Sequence, residues 1–156
     1  MGVQVPPPAL SFEMHSIFAR HPVQGAFGPT MIHGIGVDIV QLARIARALN
    51  TYGERFLRRI YSPREVEQCE AEPDERVRRY AAWFAAKEAA FKAFRDDLDN
   101  QLHWHDFEVE SDASGAPALK LSGRAAEVCD RLGIARIHLS LSHTDVSASA
   151  IVVAEK

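Results

Sequence analysis

Lys87, Glu88 and Lys92 are the residues whose types and spacing first suggest chemistry. They lie in R-R-Y-A-A-W-F-A-A-K-E-A-A-F-K-A-F-R, which runs from Arg78 to Arg95. Residues four apart on a helix share a face, so Phe84, Glu88 and Lys92 form one row and Trp83, Lys87 and Phe91 the next. A carboxylate flanked by aromatic rings is partly desolvated, and such a group seeks a cation. The bland partner is Lys92, in an i,i+4 pair worth about 0.2–0.5 kcal/mol on a solvated face. A second acid, Asp38, stands in the apolar run I-H-G-I-G-V-D-I-V from Ile32 to Val40. Burying a bare carboxylate is prohibitive, so Asp38 needs a partner. It either caps the helix that follows or binds a metal or another cation, and the residues leave both readings open. A third feature is charge. Residues 41–60 carry Arg44, Arg47, Arg55, Arg58 and Arg59 against Glu54 alone, a local +4 in a chain of net −3. A solvated helix face is the ordinary reading of such a patch, and an acidic partner is the functional one.

The elements that must position these residues can be read from periodicity. Arg78 to Arg95 is Ala-rich and free of Gly and Pro, with Tyr80, Trp83, Phe84, Phe91 and Phe94 near helical spacing, so it predicts the chain's principal helix, with those aromatics as its buried stripe. The run from Ile32 predicts a strand, and its glycines mark the close approach of another backbone or a ligand. Residues 41–60 predict a helix broken near Asn50 and Gly53. Ser62-Pro63-Arg64-Glu65 is a capping-box pattern opening a short helix toward Glu70. Phe107 and Val109 alternate with Glu108 and Glu110, then Ser114-Gly115 turns the chain into Ala118 to Leu121, which predicts a hairpin. Ser122 caps a short helix that stops at Gly133. Arg136 to Ser142 alternates, His143-Thr144-Asp145 turns, and Val146 to Ala154 is a final strand. The class is α+β, with a mostly antiparallel sheet packed against a long Ala-rich helix and shorter helices.

The bulk numbers narrow the function further. With 156 residues, 47% of them hydrophobic, the chain reads as one globular domain. A net charge of −3 excludes general nucleic-acid affinity, which needs a basic face. No apolar run approaches the ~20 residues of a membrane span, and no charged start precedes an apolar block as in a secretory signal. Cys69 and Cys129 have no ligand-spaced companions, so ordinary reduced thiols of the cytoplasm are expected. Residues 1–30 hold five of the eight prolines and read as a poorly ordered amino-terminal extension, with the folded domain over 31–156.

Three segments, G-I-G-V-D-I-V-Q-L-A-R-I at 34–45, W-F-A-A-K-E-A-A-F-K-A-F at 83–94 and L-S-L-S-H-T at 139–144, together resemble the holo-[acyl-carrier-protein] synthase family of 4′-phosphopantetheinyl transferases. The resemblance covers roughly residues 31 to 154. It implies the 4′-phosphopantetheinyl transferase fold and transfer of the phosphopantetheine arm of coenzyme A to a serine of an apo acyl carrier protein, with release of 3′,5′-ADP. It also implies Mg²⁺ held by Asp38 and Glu88, with Glu88 and Lys92 catalytic. Contacts to coenzyme A fall to Lys87, Lys92 and His143. Arg44 and Arg47 become the docking face for an acidic carrier of fatty-acid or polyketide synthesis. A homotrimer with sites between subunits is implied as well. The chemistry suits the residues: Mg²⁺ takes one or two carboxylates plus phosphate oxygens, and a lysine offsets the charge developing on the phosphoryl group.

The chain departs from the family at one place. Where the family has a glycine-bearing loop beside the nucleotide, this sequence reads Arg95-Asp96-Asp97-Leu98-Asp99-Asn100. Aspartates near a polyphosphate repel it, so weaker coenzyme A binding is expected there. That motivates a second reading, a catalytically weak module that docks carrier proteins without modifying them. The intact set of Asp38, Glu88 and Lys92 speaks against it. A third reading, a metal-dependent phosphohydrolase, leaves the arginine patch without a use.

Overall fold

A computed structural model describes residues 31–94, 102–111 and 116–156. Its centre is one helix laid across one sheet. Strand β1 (Ile32–Gln41) is followed by helices α1 (Leu42–Tyr52), α2 (Glu54–Ile60), α3 (Pro63–Glu70) and α4 (Arg76–Ala93). A 3-10 turn (Trp104–Asp106) leads into β2 (Phe107–Ser111) and β3 (Pro117–Leu121), then α5 (Gly123–Leu132), β4 (Arg136–His143) and β5 (Ser147–Glu155). The strands make an antiparallel three-stranded sheet in the order β1-β5-β4 and a β2-β3 pair. This is the expected α+β class. No described helix is long and apolar enough to cross a membrane. The extension 1–30, the Ser114-Gly115 turn and the acidic run 95–100 lie outside the described residues.

The close fit of α4 on β1 explains the strand glycines. A Cβ on Gly34 would stand 2.1 Å from the Ala93 carbonyl oxygen, and one on Gly36 would stand 1.8 Å from that of Ala89. Both contacts are to helix backbone, which cannot turn aside as a side chain can. Small residues continue the pattern: Ala148 and Ala150 of β5 share the core with Ala85, Ala86, Ala89 and Ala90 of α4. The deepest face of α4 is therefore its alanines, not the aromatic stripe that periodicity suggests. Tyr80 and Phe94 are buried, but Trp83, Phe84 and Phe91 are only partly so. Phe91 meets Phe107, and Phe84 and Phe91 both meet Trp104, forming a second layer on the flank away from the sheet.

The local signals mostly hold. Gly53, at φ +48°, separates α1 from α2. The Ser62–Glu65 capping box forms, and Gly133 closes α5 in the left-handed region at φ +68°. Ser122 departs from expectation. It stands at the start of α5, but its hydroxyl donates to the His105 carbonyl at 3.2 Å instead of capping the helix. The outer face of the main sheet is uncovered and apolar, with Ile35, Val37, Ile39 and Ile151 all exposed.

Candidate active site

Asp38 shares the inward side of β1 with Gly36 and Val40, because alternate residues face alternate sides of a strand. The glycines let α4 settle close enough for Lys92, near its carboxyl end, to reach across. Its ammonium donates to Asp38 Oδ1 at 2.7 Å and to the Val37 carbonyl at 2.8 Å. The residue at the start of α1 is Gln41, so Asp38 does not cap that helix. Of its two sequence readings, the cation partner is the one that forms.

Glu88 lies one turn before Lys92 and is half-buried. Desolvation raises its pKa above the ordinary carboxylate range, and the charge of Asp38 raises it further. Lys92 and Arg44 act the other way. Across the strand–helix junction the two carboxylates are thus near enough to feel one another's charge, with two cations nearby. Among the described residues no group of three His, Cys, Asp or Glu forms a closed metal cage. A pair of oxygen donors with room for substrate oxygens is the set Mg²⁺ takes, so the donor chemistry fits that ion. A divalent cation between Asp38 and Glu88 would relieve their mutual repulsion.

The structure corrects one expected site residue. Lys87, next to Glu88, has no solvent exposure and forms an ion pair at 2.8 Å with Glu65, which is equally buried. It also donates to the Trp104 carbonyl at 3.0 Å and the Phe107 carbonyl at 2.6 Å. Successive helical residues point about 100° apart, so Glu88 faces the strand junction while Lys87 faces the Trp104 turn. Burial lowers the Lys87 pKa and Glu65 counters it, and three acceptors match the three donors of an ammonium. With all three donors engaged in the interior, Lys87 has none left for coenzyme A.

His143 is exposed at the end of β4, in a groove it shares with Glu75, Arg78, Trp83, Glu110 and Leu141. Asp38 stands two strands away across the β1-β5-β4 order, about 10 Å in strand spacing alone. One chain therefore does not bring His143 to the carboxylate pair. Arg44 and Arg47 are exposed on α1, and neither joins an ion pair among the described residues. Arg44 lies near enough to Glu88 to influence its charge. Sequence reasoning missed Glu65 as a core residue. Its capping role was visible, but nothing signalled that the same carboxylate also accepts the Val109 N–H at 2.9 Å. It also missed the groove of Tyr52, Arg55, Phe56, Arg59, Ile60 and Trp104 beside α2.

Comparison with known proteins adds a further observation. The family model described as the 4′-phosphopantetheinyl transferase superfamily matches residues 34–149. A holo-[acyl-carrier-protein] synthase of Koribacter versatilis is 46% identical over 125 residues, which are 80% of this chain and 99% of that protein. The crystal structure of the Neisseria meningitidis holo-[acyl-carrier-protein] synthase is similar with a TM-score of 0.74 and 35% identity, over 81% of this chain and 100% of that one. The Helicobacter pylori synthase in complex with coenzyme A is similar with a TM-score of 0.66 and 32% identity, over 77% and 98%.

Proposed function

We propose a function on one premise: the chain belongs to the holo-[acyl-carrier-protein] synthase family of the 4′-phosphopantetheinyl transferase superfamily and is an enzyme of that family. It moves the 4′-phosphopantetheine arm of coenzyme A to a serine hydroxyl of an apo acyl carrier protein. The serine oxygen bonds to the β-phosphorus, the pyrophosphate bond to the leaving group breaks, and 3′,5′-ADP departs. The observation that carries this reading is the Asp38–Lys92 pair between strand and helix, with Glu88 one helical turn from Lys92.

Asp38 and Glu88 would hold Mg²⁺, which when bound polarises the attacked phosphate. Glu88 is the carboxylate placed to take the serine proton. Lys92 supplies positive charge to the phosphoryl oxygens as negative charge develops. It already stands ready, held at Asp38. Coenzyme A as donor is supported by its presence in the Helicobacter pylori relative. The acidic loop after Phe94 stays part of the reading as a brake on coenzyme A affinity. The cytoplasm, where coenzyme A and carrier proteins meet, is the place of work. The free thiols Cys69 and Cys129 suit it.

The enzyme works as a homotrimer. Ile35, Val37, Ile39 and Ile151 make an apolar sheet face of the kind that seeks a second copy. The distance between His143 and the carboxylates of its own chain supports a site shared between copies, in which the His143 groove of one chain takes phosphates of the coenzyme A that the next chain's Asp38, Glu88 and Lys92 act on. Ile151→Glu should yield monomers by light scattering and leave less than about a tenth of the transfer rate, with the helical circular-dichroism signal intact.

Arg44 and Arg47 meet the acidic face of the carrier. Arg47→Glu is the cleaner probe, because Arg44 also influences Glu88. Carrier affinity should fall roughly tenfold, about 1.4 kcal/mol, with coenzyme A affinity within about twofold. Equal losses for both substrates would place Arg47 in the nucleotide site instead. The function itself is tested by chromatography of the nucleotide: one 3′,5′-ADP should appear per carrier consumed, and a chelator should stop it. Release without carrier would indicate a phosphohydrolase.

A further inference from the structure

We infer that Lys87 is a positioning residue for the transfer, acting through Glu65 and the Trp104 turn and not on coenzyme A; the inference rests on Glu88 working in that transfer. Its ammonium and the Glu65 carboxylate tie four elements together. Lys87 comes from α4, and Glu65 from α3, where it accepts the Ser62 N–H at 2.7 Å. The other Glu65 oxygen takes the Val109 N–H of β2 at 2.9 Å. Lys87 completes the junction with its bonds to the carbonyls of Trp104 and Phe107, at 3.0 and 2.6 Å.

What this junction fixes is the Trp104 ring. Its backbone is held by Lys87, and its ring stacks on Phe84 with centroids 5.3 Å apart and meets Phe91 edge-on at 5.1 Å. Phe84 is four residues before Glu88 and Phe91 three after it, so the three rings form a wall along the helix beside Glu88. An apolar pair of similar volume could fill the space of Lys87 and Glu65 without stranding a charge, though the Val109 N–H and the Trp104 and Phe107 carbonyls would lose these partners. It could not aim three donors at three acceptors, and so could not set where Trp104 sits. The charged pair thus contributes an orientation that packing alone does not, and the orientation is felt at Glu88.

The test separates clamp from ligand. Lys87→Met alone strands a buried carboxylate and is expected to unfold the chain, so Lys87→Met is combined with Glu65→Met. The double variant should melt below wild type, because backbone groups lose partners, but still fold and unfold in one transition, because both charges are removed together. Its kcat should fall roughly tenfold while KM for coenzyme A stays within about twofold. In a Trp83→Phe background used only for spectroscopy, Trp104 emission should shift to the red and become more accessible to acrylamide. Trp104→Ala, which leaves the ion pair in place, should lower kcat similarly, and adding it to the double variant should cost nothing more. An unmoved Trp104 spectrum with unchanged kcat would overturn the inference. So would a raised KM for coenzyme A with Trp104 unmoved, or a Trp104→Ala enzyme with wild-type kcat. A wild-type protein that loads no carrier would instead overturn the transfer reading; the Trp104 spectrum tells the two failures apart, because the clamp moves it whatever reaction the site performs.

Discussion

Glu88→Gln is expected to slow carrier loading by more than about a hundredfold, roughly 2.7 kcal/mol of barrier, while the fold stays intact. The amide keeps the shape of the side chain but loses the charge that binds a cation and the lone pair that accepts a proton. Stability should move the other way. The folded protein raises the Glu88 pKa, through burial first and Asp38 second. A carboxyl raised in the folded state contributes its stability below the unfolded pKa and loses it as pH rises through the folded value. Metal-free wild type should therefore lose ground to the Gln variant as pH climbs through that window, and the gap should level off above it. Added Mg²⁺ should raise the melting temperature of wild type and leave that of the variant nearly unmoved. Loading at more than about a tenth of the wild-type rate would remove Glu88 from the chemistry.

Gly36→Ala is expected to cost at least the ~3 kcal/mol at the upper end of overpacking, with a fall in melting temperature of roughly 10 °C. The added methyl carbon would stand 1.8 Å from the Ala89 carbonyl oxygen and 2.7 Å from its carbon. Neither backbone can yield alone. β1 is paired to β5 along its length, with Gly36 opposite Val152, and Ala89 lies inside an 18-residue helix. Relief comes only by lifting α4 from the sheet, which also parts Lys92 from Asp38. Activity at permissive temperature should fall with stability, chiefly in kcat. A thermal-melt difference below about 2 °C would mean that the strand and helix have slack which their packing does not suggest.

The same strand and helix illustrate what could be read in advance. Glycines in an otherwise apolar strand announce a close neighbour, and Gly34 and Gly36 have one in the backbone of α4. Glu88 and Lys92 lie on one helical row by spacing alone. That Lys92 turns to Asp38, 54 residues away in sequence, is a product of tertiary packing and has no local signature. Lys87 shows the limit most clearly. Helical periodicity groups it with Trp83 and Phe91 but does not say that Lys87 alone of that row is fully buried, because its partner Glu65 reads in the sequence as a capping residue. His143 matches its motif yet lies two strands from Asp38 in the β1-β5-β4 order, a separation that motif order does not give. The Ser122 hydroxyl found the His105 carbonyl, a contact between segments 17 residues apart that no turn rule anticipates.

The most direct measurement is the intact mass of an apo acyl carrier protein after incubation with this protein, coenzyme A and Mg²⁺, run beside a carrier whose acceptor serine is replaced by alanine. The predicted result is a gain of one phosphopantetheine group per carrier, absent from the alanine form and absent when Glu88→Gln replaces the wild-type protein. A carrier that keeps its apo mass, although bound by a folded protein supplied with both coenzyme A and Mg²⁺, would contradict the account.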